Sequence, residues 1–540
     1  SGYGRGGGEE EGGFLNEKID EEVDIPVTTG AEGKPPCFSF RTLWAFTGPG
    51  WLMSMAYLDP GNLEGDLQQG AYTGYQLLWV LFWSTALGWL LQVLAATLGV
   101  VTGKDLATHC RTRFCKPVSL TLWLMTEIAI IGSDIQEVIG SAIALKLLFD
   151  LPLWIGTLIT GLDTFTFLLF HYWGIRKLES VFCAMIFVMC VCFFINWGKS
   201  GTDAGQFMFG LFVPTIEDYA LIPAVGTLGA VIMPHNIYLH SALVLSRKID
   251  RRDPTKVWEA IKYNAIESGM ALLISFFINA AVVVTFTTHF FNVGCASLEA
   301  GNFACVDTRS DGIPEDDYFN GISPDTCVNE HNGYGRCAEI GLSTAGHALG
   351  QTLGSAAKYI WGVGVLASGQ ASTMTGTYAG QFVMQGFLQL KVAPWKRTMM
   401  TRLVALGPAV IVALGTAHDP VISDTLNEWL NVLQSIQLPF ALLPVLILTS
   451  SALVMEQFVN TPATNFIGWC GAALVFAANL YLVIDFCWED NSKHVPSADW
   501  FHPTVIFLLV LYFVFIGWVI YDGIVGFALR ANKADRDKHM

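Results

Sequence analysis

Apolar residues in this chain form long uninterrupted blocks separated by short polar connections. About 20 consecutive apolar residues are enough to cross a hydrocarbon core as a helix. Roughly twelve blocks reach that length, near 44 to 70, 75 to 101, 119 to 148, 152 to 172, 177 to 196, 220 to 246, 259 to 289, 340 to 372, 398 to 417, 426 to 450, 464 to 487 and 503 to 529. No stretch remains that would fold as a soluble domain. The pattern predicts an all-α polytopic membrane protein. Residues 1–40 stand outside it: they are Gly-rich and acidic, lack an apolar signal-like core, and are expected to be a disordered tail.

Two blocks carry interruptions. Residues 59 to 66 read DPGNLEGD, directly after the apolar run WAFTGPGWLMSMAYL. Pro60 removes a backbone donor and clashes with the preceding turn, and Gly61 permits unusual dihedrals. Non-helical backbone survives at membrane depth only where it lines an enclosed cavity, and the freed carbonyls, Ala56 among them, then seek a partner. DPG alone also fits a turn between two spans. The sixth block adds a second break, GTLGAVIMPHNIYLHSALV, with Pro234 followed by His235 and Asn236. The first and sixth spans correspond if spans one to five and six to ten are inverted repeats, an arrangement in which unwound segments meet at a binding site at the membrane midplane.

Composition and charge fit this picture: 52% of residues are hydrophobic and 14% charged, against about 25% charged in soluble domains. Lys and Arg gather in alternate connections (Lys34 and Arg41; Lys104 to Lys116; Arg176 and Lys177; Arg247 to Lys256; Lys391 to Arg397; Arg530 to Lys538). By the positive-inside rule both termini are expected in the cytoplasm, which needs an even number of spans. The net charge of −16 lies in the tail and outer loops and gives no reason to expect a nucleic-acid partner. Cys295, Cys305, Cys327 and Cys337 lie in a polar insert, 290–338, expected outside, where disulfides persist. Two disulfides are expected, with three pairings open.

The three motifs DPGN, MPHN and GQASTMTGTYAGQFVMQGF (369 to 387) resemble the Nramp family of proton-coupled divalent metal transporters, its eukaryotic members above all. The resemblance runs from about residue 40 to about 530. It implies a LeuT-like fold: a transport core over 41–455, built of inverted repeats at about 41–200 and 215–455, and two additional C-terminal helices over 456–530 before a cytoplasmic tail at 531–540. It also implies a multi-pass protein of the plasma membrane or of an acidic endosomal or vacuolar membrane, with metal ions, protons and the lipid bilayer as partners. A monomer suffices and no cofactor is needed, because the metal is cargo.

Matching motif by motif implies metal ligands at Asp59, Asn62, the carbonyls of Ala56 and Ala230, and Met233. The donor types suit that role. Asp59 brings charge, Asn62 and the carbonyls bring neutral oxygens, and the Met233 thioether favours Mn²⁺ or Fe²⁺, possible Cd²⁺ or Co²⁺ cargo included, over hard Mg²⁺ and Ca²⁺. In the tenth span Asn431 or Gln434 completes the shell as the site closes, Asn431 being preferred; interhelical hydrogen bonding is the alternative.

In the third span Glu127, Asp134 and Glu137 fall within one sector of a helix turning about 100° per residue. Charged residues at membrane depth usually face a cavity or one another. This stripe, with His235 at its head and Arg402 paired with Glu137 by resemblance, is expected to carry protons. The alternative is a set of ion pairs locking the third span to the ninth. His240 suits gating or packing, Glu267 has no assigned role, and Glu179 is expected at the inner surface. Two other classes compete. An amino-acid or Mg²⁺ carrier on the same fold conflicts with Asp59 and the thioether in the site, and a membrane metalloenzyme lacks the HExxH pair.

Overall fold

The computed structural model describes residues 23–25, 38–171, 175–298, 303–306, 326–329, 333–389, 420–488 and 501–526, with scattered positions between 396 and 415. Its helices are α1 (Phe40–Phe46), α2 (Pro49–Met55), α3 (Pro60–Thr73), α4 (Leu78–Thr102), α5 (Leu106–Arg113), α6 (Lys116–Phe149), α7 (Leu153–His171), α8 (Ile175–Lys199), α9 (Ala204–Phe212), α10 (Leu221–Val231) and α11 (Pro234–Leu243). They continue with α12 (Pro254–Phe290), α13 (Val293–Ala296), α14 (Leu342–Leu353), α15 (Ser355–Leu388), α16 (Pro420–Gln437), α17 (Pro439–Thr449), α18 (Ala452–Met455), α19 (Pro462–Trp488) and α20 (Phe501–Tyr521). Among the described residues, 8 helical segments are long and apolar enough to cross a membrane. Of the expected ninth span, 398 to 417, only scattered positions are described. The expected eighth span, 340 to 372, divides into the separate helix α14 and a span that starts only at Ser355.

Both predicted breaks are present, and the prolines explain their form. Pro60 and Pro234 each stand at the first turn of the following helix, where a missing N–H costs nothing and the fixed φ suits the helix. Each proline therefore starts the second half-helix of its broken span. Gly61 corrects the expectation of unusual dihedrals: it is helical and is not among the glycines with positive φ. Its lack of a side chain serves close approach instead, since a Cβ there would stand 2.7 Å from Gln136 Nε2.

Helix α12 is continuous for 37 residues and holds the broken first span along its length. The carboxylate of Glu267 accepts from the N–H groups of Gly48, Gly50 and Trp51 at 2.8 to 3.2 Å, capping α2. Ser275 Oγ donates to the Ser54 carbonyl at 3.0 Å, Asn279 Nδ2 to Tyr57 at 2.8 Å and Thr287 Oγ1 to Gly70 at 3.2 Å.

Beside this cap, Arg247 corrects its reading as a connection cation. It is buried, pairs with Glu179 at 2.8 Å, and donates to the Thr47 carbonyl at 2.7 Å. Glu179 is accordingly buried as well. Within the tail expected to be disordered, Val23 and Asp24 form β1, which pairs in parallel with β2, Arg247–Lys248. The polar insert carries a three-stranded sheet of β3 (Ala304–Val306), β4 (Thr326–Asn329) and β5 (Gly333–Ala338), with β5 in the centre. Of the three open pairings the structure has Cys295–Cys337 and Cys305–Cys327.

Candidate metal site

The segment after α2 tightens into short turns, with the N–H groups of Ala56, Tyr57 and Leu58 each bonding three residues back. Its carbonyls then turn away from the helix axis. Asn279 takes that of Tyr57 and Ser368 Oγ takes that of Leu58. Among the described residues, the carbonyl of Ala56 receives only a long contact, 3.4 Å, from Asn62 Nδ2. The same Nδ2 donates to Asp59 Oδ1, while the Asp59 carboxylate accepts from the N–H groups of Gly61 and Asn62 at 3.2 Å and so caps α3.

The second break lies alongside. A Cβ on Gly65 would stand 3.8 Å from that of Ala230, so α3 and α10 run side by side at this level, and α11 packs on α2. Met233, at the junction of α10 and α11, is 1% exposed, as is Asp59. The expected ligands Asp59, Asn62, Ala56, Ala230 and Met233 are all buried. An anion, two types of neutral oxygen and a thioether can together hold a cation of intermediate softness.

Asn431 is already engaged at both ends of its amide. Its Nδ2 donates to the Gly61 carbonyl at 3.2 Å, and its Oδ1 accepts from Gln136 Nε2 at 2.8 Å. Gln434 Nε2 donates to Gln136 Oε1 at 2.7 Å. Asn431 and Gln434 therefore make the interhelical hydrogen bonds given above as the alternative, and that of Asn431 reaches the first break itself. Sequence reasoning overlooked Gln136, whose position between two acids on one helix hid it.

The stripe on α6 is buried. Glu127 accepts from Trp123 Nε1 at 3.0 Å and Glu137 from Ser133 Oγ at 3.1 Å. Gly376 of α15 faces two of the acids: a Cβ there would lie 2.8 Å from Asp134 Oδ1 and 3.3 Å from Glu137 Oε1. A side chain at position 376 would fill the space these carboxylates share. Helix α11, carrying buried His235 and His240, packs on both α6 and α15. Gly140 brings α6 against Pro60, where a Cβ would meet the proline ring at 2.3 Å, so the stripe and the first break share one interface. Arg402 lies outside the described residues.

The family described as natural resistance-associated macrophage protein-like matches residues 50–310 and 325–485. The chain belongs to the Nramp family. Similar Nramp proteins include the metal transporter nramp1 homolog of Dictyostelium discoideum, 50% identical over 466 residues that make up 86% of this chain and 78% of that protein. Metal transporter Nramp4 of Arabidopsis thaliana is 44% identical, with 94% and 91% covered. Among solved structures, the manganese transporter of Eremococcus coleocola in complex with an aromatic bis-isothiourea compound superposes with a TM-score of 0.75 at 29% identity, over 93% of this chain and 98% of that one.

Proposed function

We propose that this Nramp protein is a proton-coupled symporter that moves divalent transition metal ions of the Mn²⁺ and Fe²⁺ class into the cytoplasm by alternating access. The observation carrying this reading is the place of the Asn62 amide, whose nitrogen lies between the Asp59 carboxylate and the Ala56 carbonyl. Two oxygen acceptors that converge on one small electropositive group suit a cation equally well. A half-turn of the amide adds Asn62 Oδ1 to the same ring of oxygens. Buried Met233 supplies the soft donor that favours transition metals over Ca²⁺ and Mg²⁺. The acid stripe, meeting the first break through α6, supplies a separate route for protons. Names given to the relatives, metal transporter and manganese transporter, agree with this cargo.

In this reading both termini lie in the cytoplasm, and the disulfide-bearing insert faces the outside or the lumen of an acidic compartment. The test is uptake of Mn²⁺, Fe²⁺, Cd²⁺, Co²⁺, Ca²⁺ and Mg²⁺ into proteoliposomes, with and without an inward proton gradient. Expected are transition-metal uptake and internal acidification that requires the metal. Uptake indifferent to the gradient, or equal for Ca²⁺ and Mn²⁺, contradicts it.

A further inference from the structure

We infer that Gln136 is a positioning residue for metal binding, holding Asn431 of the tenth span against the first break. The inference rests on the metal-site reading above. Gln136 is fully buried on α6, and both ends of its amide are engaged. Nε2 donates to the Asn427 carbonyl at 3.0 Å and to Asn431 Oδ1 at 2.8 Å, while Oε1 accepts from Gln434 Nε2 at 2.7 Å. Asn431 Nδ2 in turn donates to the Gly61 carbonyl at 3.2 Å.

Two backbone carbonyls fix every orientation in this chain of amides. A carbonyl only accepts, so the Gln136 atom facing Asn427 must be nitrogen. The Asn431 atom facing that nitrogen must be oxygen, and this leaves the Asn431 nitrogen for the Gly61 carbonyl, which also only accepts. Gln136 is left with its oxygen toward Gln434, whose nearer atom must be nitrogen. No flipped alternative satisfies the same contacts. Gln136 thus sets both where Asn431 sits and which of its atoms faces the break. The missing side chain of Gly61 gives this contact its room, since a Cβ there would collide with the Gln136 amide at 2.7 to 2.9 Å. Gln136 in this way links the α6 helix that carries Asp134 and Glu137 to α16 and, through Asn431, to the break.

The experiment compares Gln136→Met, Gln136→Glu, Asn431→Ala and the double variant Gln136→Met/Asn431→Ala, measuring KM and maximal rate for Mn²⁺ uptake in proteoliposomes and the melting temperature in detergent. Gln136→Met keeps the volume and removes the amide. Gln136→Glu puts an oxygen where a donor is required, and carries the test if the first variant does not assemble. Each Gln136 variant is expected to raise KM about tenfold, the scale of one lost buried hydrogen bond. The double variant should be no worse than the weaker single one, because both changes remove the same function. Effects that multiply in the double variant, or an assembled Gln136 variant with wild-type KM and only a lowered melting temperature, overturn the inference. Retained uptake in Asp59→Asn would instead overturn the reading of the metal site, whatever the Gln136 variants do.

Discussion

Asn62 donates its side-chain amide to the carboxylate of Asp59 and to the carbonyl of Ala56, two residues that flank the break in the first span. The three groups close a small ring at the start of α3, all buried, with the Asp59 carboxylate held by two backbone N–H groups. In the proposed function a cation takes the place of the amide nitrogen once the Asn62 amide turns over, and the Asp59 carboxylate and the Ala56 carbonyl are already in place. Little rearrangement is then spent on binding.

Asp59→Asn removes the formal charge from this ring while keeping its shape. Losing one partner of a buried charge pair costs about 3–5 kcal/mol, so Mn²⁺ uptake should fall a hundredfold or more with the protein still correctly assembled. Uptake assays beside a size-exclusion profile check both parts. Near-normal transport would remove Asp59 from the site.

Met233→Leu keeps the volume of a buried side chain and deletes the sulfur. Mn²⁺ transport should persist, while Ca²⁺ becomes a competitor, its apparent affinity rising about tenfold, or about 1.4 kcal/mol. Competition of Ca²⁺ against Mn²⁺ uptake in both proteins reads this. Unchanged rejection of Ca²⁺ would put selectivity elsewhere.

Asp134→Asn separates proton conduction from helix locking. If the stripe conducts, metal-stimulated acidification of the vesicle interior falls tenfold or more while Mn²⁺ KM changes little, and uptake loses its dependence on external pH. If the stripe only locks helices, assembly and uptake fall together and the surviving transport keeps its pH response. Internal pH and Mn²⁺ entry recorded in the same vesicles distinguish these outcomes.

Glu267→Ala strands three N–H groups at the start of α2 and leaves Arg247 with one acid fewer nearby. The cost should be about 2–4 kcal/mol, visible as a lower melting temperature in detergent. Glu267→Gln keeps an acceptor and should lose less. Equal melting of the alanine variant and the wild type would show that α2 finds its cap elsewhere.

Much of this was legible in the sequence because membranes penalise exceptions. Asp59, Asn62, Pro60 and Pro234 stand out against apolar surroundings, and the cost of unpaired backbone in lipid marks each exception as a break in a span. The stripe was legible for the same reason, since Glu127, Asp134 and Glu137 are charges in a span. Gln136 was not, because an uncharged amide between two acids raises no such alarm and its value comes from Asn427, Asn431 and Gln434, nearly 300 residues away. Glu179 and Arg247 were read as surface groups because each lies in a basic cluster near a span end. Only packing shows that they are buried partners. Gly61 was read for its backbone freedom, but its neighbour, not its dihedral, requires glycine.

The unbroken α12 gives the interrupted first span a ruler. Four of its side chains, Glu267, Ser275, Asn279 and Thr287, fasten that span from Gly48 to Gly70, along a rod about 55 Å long at 1.5 Å per residue. The spacing between the two halves of the first span is thereby calibrated by a helix that takes no part in the ring of Asp59, Asn62 and Ala56. Shifting α12 by one residue would rotate every fastener by about 100° and open all four at once. If the ring holds the cargo as proposed, substitutions in α12 that move these four fasteners are expected to change cargo preference without touching the ring itself.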